Sequence, residues 1–249
     1  MSLQPLPIQW TFDPAIVVGI ILAGFAYVYF GRHLDEAGRP WFFWAGLGCF
    51  VVALVSPVDY VSDHYLLSVH MLQHILLTMV GPPLVLAGLP PAAGRALPRL
   101  LLNPWLTVTL FNVVLLAWHW PSLYNETLLN ENLHILEHLM FMATAFLFWW
   151  PIVGPGRAGE GMSDLMKIGY LAFAGVPPTV LGMTMAIAPA ALYTFYTSAP
   201  RLFGDVSVSL DQQLAGILMF GIGNLIYFVP ISRIFMSMME DPDTVPAGT

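Results

Sequence analysis

The chain is predicted to be an all-α, polytopic membrane protein of seven transmembrane helices, N-terminus outside and C-terminus in the cytoplasm. Three observations predict it. Of its 249 residues, 57% are apolar and only 9% are charged, where a soluble domain carries about 25% charge. Seven segments come near the roughly 20 apolar residues that span a bilayer. The basic residues fall almost entirely on alternate connections, which sets the orientation. No soluble-sized gap separates the segments, so residues 1–249 read as a single transmembrane domain.

The expected spans are about 14–31, 40–57, 64–88, 103–120, 132–151, 164–187 and 211–232. The first two are short, and tilt plus the interfacial aromatics Tyr29, Trp41 and Trp44 can accommodate that. Met1 to Asp13 contains no Lys or Arg, whereas a secretory signal needs a basic leader; the first span is therefore expected to be retained. Connections are short and rich in proline and glycine, including Pro40, Pro57, Pro90-Pro91, Pro121, Pro151 and Gly154-Pro155.

Arg32, Arg39, Arg95, Arg99, Arg157, Lys167 and Arg233 all fall on one side, and Arg201 alone on the other. The outer side then holds Asp13, Asp59, Asp63, Glu126, Glu131, Glu137, Asp205 and Asp211. The formal charge of −7 thus belongs to the outer face. Such a rim serves solubility and topology, or attracts cations. Nucleic acid is excluded as a partner, because no basic patch exists outside the short cytoplasmic loops.

The histidines separate by depth. His64, His70 and His74 descend from the outer end of the third span. At about 1.5 Å per residue, His70 should lie about 9 Å and His74 about 15 Å below His64. His119 closes the fourth span within Trp118-His119-Trp120-Pro121, and His134 and His138 open the fifth with Glu137 beside them. Residues four apart share a helix face, so the pairs His70/His74 and His134/His138 can meet if the third and fifth helices are neighbours. His33 alone lies on the cytoplasmic side, as a loop residue. A lone histidine in a membrane helix often only bonds a neighbouring helix. Six at one end point to metal or cofactor binding or proton relay, because ionisable groups in a bilayer are costly.

Further candidates are softer or anionic. Met183 and Met185 end the sixth span and Met71 neighbours His70. Thioether favours Cu(I), although methionine is also routine packing. Glu137 reads as a carboxylate that orients an imidazole. Asp211 reads either as a ligand or as the cap of the seventh helix. Gly81-Pro82-Pro83 and Gly175-Val176-Pro177-Pro178 should kink the third and sixth spans and free backbone carbonyls; their likeness leaves an inverted repeat open. Cys49 is the only cysteine, so a paired-thiol site is impossible.

His70-Met-Leu-Gln-His74 running into Gly-Pro-Pro-Leu, then Trp118-His-Trp-Pro121, His134-Ile-Leu-Glu-His138 with Trp149-Trp-Pro151, and Asp211-Gln-Gln-Leu-Ala-Gly216 resemble the CtaG-type cytochrome c oxidase assembly factors. The likeness covers about residues 60–230, with motifs in the family's order. It implies a non-enzymatic chaperone of the respiratory chain in the bacterial cytoplasmic membrane, helping to insert copper into the CuB site of the oxidase catalytic subunit. His70, His74, His119, His134, His138 and Asp211 match the family's motifs; His64 does not map onto one. The implied partners are the lipid bilayer, that subunit and an extracytoplasmic copper donor.

On chemistry alone, neutral imidazoles with an occasional thioether suit Cu(I), and an added carboxylate favours Cu(II) or zinc. Two alternatives stay open: a bis-histidine haem protein of electron transfer, and a metal or proton transporter built on the kinked helices.

Overall fold

The structure is a computed structural model that describes residues 9–31, 38–95, 103–156, 161–204 and 206–240. His33 and Asp205 lie outside the described residues. All regular structure among the described residues is helical.

Local chemistry sets the helix starts. Asp13 accepts from the Ala15 amide at 2.7 Å ahead of α1 (Pro14–Gly31). Ser56 caps α3 (Pro57–His64), Asn103 caps α6 (Pro104–Trp118) and Asn130 caps α8 (Glu131–Val153). Ser163 and Ser207 do the same for α9 (Asp164–Ile187) and α11 (Val208–Ile217). Proline occupies the first turn of α2 (Pro40–Leu54), α3, α6 and α7 (Pro121–Thr127), where its missing N–H costs nothing.

The third span is compound. α4 (Leu67–Ile75) runs through a π turn (Leu76–Val80) into α5 (Gly81–Gly88). The expected proline effect is visible here: in a regular helix the residue-82 amide would bond to the Thr78 carbonyl, and Pro82 has no N–H to give. Trp149 Nε1 of α8 donates to that carbonyl instead, at 2.9 Å. The last span repeats the device, α11 passing through a π turn (Leu218–Ile222) into α12 (Gly223–Glu240). A four-residue helix, α10 (Phe195–Ser198), lies between α9 and α11.

Among the described residues, five helical stretches are long and apolar enough to cross a membrane, or seven if each of two bent pairs counts as one span. The bent pairs are α2 with α3, at 43°, and α6 with α7, at 77°. Two boundaries correct the sequence expectation. His64 ends α3 and does not head the third span, which starts at Leu67 after a break; the expected continuous descent from His64 does not exist. Asp211 lies in the first turn of a helix that starts at Val208, and Ser207 is its cap.

The α4–α5 unit is central, packed by α2, α8 and α11. Close approach depends on glycine at two crossings. A Cβ on Gly46 would stand 2.7 Å from the Val85 amide, and one on Gly182 would stand 2.8 Å from the Gly216 carbonyl oxygen. Small residues at such crossings replace the hydrophobic driving force that lipid removes. The α1 helix buries only Gly24, against the indole of Trp44.

Candidate metal centre

α4 and α8 each present two histidines one turn apart, and their packing brings the four rings together at one end of the bundle. Ring centroids are 4.3 Å apart for His70/His74, 4.2 Å for His134/His138, 5.5 Å for His70/His134 and 5.6 Å for His74/His138. His119, the residue that closes α6, joins from a third helix with its ring 5.5 Å from that of His74. His70, His74, His119 and His138 are buried, and His134 is only slightly exposed.

Two sets of potential ligand atoms each lie within 4.8 Å of one another: His70, His74 and His138, and Asp63, His70 and His134. Two ligands that each sit about 2.0 Å from one ion are separated by about 3–4 Å, so either set closes on an ion with small side-chain movements. His70 belongs to both. Its Nε2 faces His74 Nε2 at 2.9 Å, and its Nδ1 faces Asp63 Oδ1 at 3.8 Å. Asp63 also faces His134 Nδ1, at 3.6 Å through Oδ2.

Hydrogen bonding adds a second indication. Buried polar atoms are nearly always paired, yet His74 Nδ1, His119 Nε2, His134 Nε2, His138 Nε2 and both carboxylate oxygens of Glu137 have no hydrogen-bond partner among the described residues. For His119 the tautomer follows from geometry. Its Nδ1 is 2.8 Å from the Leu115 carbonyl, which only accepts, so Nδ1 carries the proton and Nε2 keeps a free lone pair. That is the state a metal ligand needs, with a carbonyl fixing the ring.

Glu137 stands beside the deeper histidines. It is fully buried and donates orientation to no imidazole through a hydrogen bond; its Oε1 stands 3.7 Å from His74 Nε2, on the side of the deeper set. Asp211, also buried, lies elsewhere. Its Oδ2 accepts from the Leu67 amide at 2.8 Å, and its Oδ1 from the Ser68 amide and hydroxyl at 3.0 and 2.6 Å. It caps α4, the helix that carries His70 and His74, and not its own helix.

Among the weaker candidates, His64 is exposed, stacks on Tyr60 and approaches the Tyr60 carbonyl at 3.0 Å through Nδ1, outside both sets. Met71 and Met185 are fully buried and pack together with Met219, whereas Met183 is 49% exposed. Beyond His74 and His119, a cavity of about 40 Å³ is lined by Met71, Met79, Phe141 and Met219, between the two π turns. That is room for at most a few water molecules.

Sequence reasoning missed two contributions. Asp63 counted only as rim charge, although its position next to the histidine-rich stretch was a signal. The aromatic wall carried none: Tyr124, Tyr193 and Tyr196 are buried, with the Tyr124 ring 5.3 Å from His70. Tyr193 donates to the His119 carbonyl at 3.0 Å and Tyr196 to the Ser62 carbonyl at 2.7 Å. These bonds tie the stretch before α11 over the histidine end.

With that geometry in place, the comparisons are informative. A model of the cytochrome c oxidase caa3 assembly factor family matches residues 25–241. The chain belongs to this family. The family is described as one of assembly factors, and the chain, with five to seven membrane-length helices among the described residues, is a multi-pass protein of the bacterial inner membrane. The uncharacterised protein ML1998 of Mycobacterium leprae is 26% identical over 268 residues, covering 92% of this chain and 39% of the relative. The chain therefore spans about two fifths of the length of that curated relative. No solved structure matches. The matched region contains the whole histidine cluster, in which His70, His74 and His138 are buried and Asp63 and His134 partly exposed.

Proposed function

We propose that the protein carries copper to a haem–copper oxidase, holding the ion in the His70, His74 and His138 set during insertion into the CuB site of the catalytic subunit. Metal chemistry on these residues makes the ion cargo, bound and released without turnover. The observation that supports this most strongly is the convergence of three histidines from two helices whose nitrogens lie within 4.8 Å of one another. Imidazole-rich sites bind Cu(I) well, and no thiolate is needed. With His119 Nε2 and Glu137 oxygens nearby and unpaired, the fourth position can be completed from within the protein.

The charge pattern supports the orientation assigned from sequence, with the histidine end outside. There the ion is received from an extracytoplasmic copper donor and passed to the oxidase subunit within the bilayer. The close spacing of His70 and His74 speaks against that pair as the two axial ligands of one haem. His70 and His74 stand side by side on one helix with Nε2 atoms 2.9 Å apart, a geometry that leaves no plane between them for a porphyrin. Zinc remains the competitor that measurement must separate, since imidazole and carboxylate accept both.

The test is metal content and absorption of the purified full-length protein, loaded with Cu(I) or Zn(II). Copper bound at one equivalent in the wild type, and lost from the His70→Ala/His138→Ala double variant, is expected. Wild-type copper content in that variant overturns the assignment, and a Soret band in the wild type replaces it with the haem protein.

A further inference from the structure

We propose that Asp63, His70 and His134 form a separate outer station for the same copper ion, and that His70 hands the ion from this station to the deeper His70/His74/His138 set. The inference rests on reading the deeper histidines as a copper site and adds a route to it. The juxtaposition that carries it is a single ring shared by two ligand sets: His70 turns Nδ1 to Asp63 at 3.8 Å and Nε2 to His74 at 2.9 Å.

Exposure gives the route a direction. The side chains of Asp63 and His134 are 22% and 13% exposed, while that of His70 is 0% exposed. The ion therefore meets the carboxylate and His134 first and the shared ring next. Asp63 is held in place by its neighbour, the Ser62 hydroxyl lying 2.8 Å from Oδ1, and Ser62 itself is fixed by Tyr196 on its carbonyl. The two stations differ in chemistry. The outer set offers one carboxylate and two imidazoles, which suits a partly hydrated incoming ion; the inner set is all imidazole, which suits Cu(I).

A neutral imidazole carries one N–H and one lone pair, so His70 serves the two stations alternately. The chain then holds one ion at a time. Moving inward, the ion leaves Asp63, His134 and His70 Nδ1 and gains His70 Nε2, His74 and His138. Its oxidation state is unchanged; His70 releases its Nε2 proton and takes one up at Nδ1, on the side of Asp63, both exchanged with water, so the ring stays neutral and no net proton is consumed.

The experiment uses detergent-purified full-length protein and Cu(I) released from a chromogenic chelator, followed by stopped flow. Asp63→Asn should leave the stoichiometry at one ion and equilibrium affinity within about threefold, yet slow loading about tenfold, the order by which local charge steers cations. His134→Ala should show the same rate effect. His138→Ala should instead lower equilibrium affinity by about 10–100-fold, the usual cost of disturbing a metal's immediate surroundings. Asp63→Asn and His134→Ala loading at the wild-type rate overturns the relay, as does a loss of affinity equal to that of His138→Ala, which would mean one joint site. Two ions bound per wild-type chain overturns it too. A wild type that binds no copper would instead refute the underlying site, so the two failures are distinguishable.

Discussion

Replacing Asp211 separates a cap from a ligand. In the native fold its buried carboxylate accepts three hydrogen bonds, from the Leu67 and Ser68 amides and the Ser68 hydroxyl. The two amides belong to the orphan donors of the first turn of α4, which no intrahelical carbonyl can satisfy. A hydrogen bond to a charged group contributes about 1.5–3 kcal/mol, and an abandoned buried donor costs about 1–3 kcal/mol. The three bonds are not independent, so Asp211→Ala should cost about 3–5 kcal/mol, and Asp211→Asn, whose amide oxygen still accepts, about 1–3 kcal/mol. For a chain of this size 1 kcal/mol moves Tm by about 2–4 °C, which puts the alanine variant about 6–20 °C below wild type. Chelator-treated protein should be heated with a thiol-reactive dye, because half-buried Cys49 is the chain's only thiol and labels on unfolding. The cap predicts a large fall in metal-free Tm with copper affinity of the folded fraction little changed. Unchanged metal-free stability with affinity reduced more than tenfold would refute this reasoning and make Asp211 a ligand.

Three further outcomes follow from burial and geometry. Met185→Ala should destabilise by about 2–5 kcal/mol, the usual cost of truncating a fully buried long side chain, while Met183→Ala, facing outward, should change neither Tm nor copper affinity. His119→Ala should weaken copper binding about tenfold by removing the free Nε2 beside His74, and His64→Ala should leave it within twofold, both read by chelator competition. Saturating copper at about 100 times Kd should stabilise the wild type by about 2.7 kcal/mol through linkage, visible as a Tm rise that a copper chelator reverses and that is absent in His70→Ala/His138→Ala.

Much of the fold was legible because hydropathy and capping chemistry act locally. The sixth span matches its expected limits, Asp164–Ile187, since Ser163 supplies a cap. The third did not, because Tyr65 and Leu66 are as apolar as the helix they precede, and only the backbone break after His64 shows that α3 is a separate piece. The pairing of His70/His74 with His134/His138 was readable from spacing, given neighbouring helices. Asp63 was not, because its approach to His70 and His134 depends on how α3 is set against α4 and α8. Asp211 was placed correctly as a candidate cap but on the wrong helix, 143 residues from the Ser68 amide it satisfies; a local cap has a sequence signature and a distant one has none.

The unpaired atoms at the histidine end tie stability to cargo. Each buried donor or acceptor without a partner costs about 1–3 kcal/mol, and several imidazole nitrogens and the Glu137 oxygens share that condition. Packing elsewhere, in the aromatic core around Phe111, Phe148 and Trp149, must offset it. On the proposed reading a copper ion in the deeper set satisfies some of these lone pairs, so the loaded state is the better-bonded one and release restores the cost. A carrier must nevertheless let go. Binding by neutral imidazoles, without thiolate, avoids the softest ligand available to Cu(I) and so leaves the ion releasable. The shared ring of His70 then makes the two stations mutually exclusive, because it offers its one lone pair to either set and never to both, so an ion that has moved inward leaves the outer set unable to hold a second.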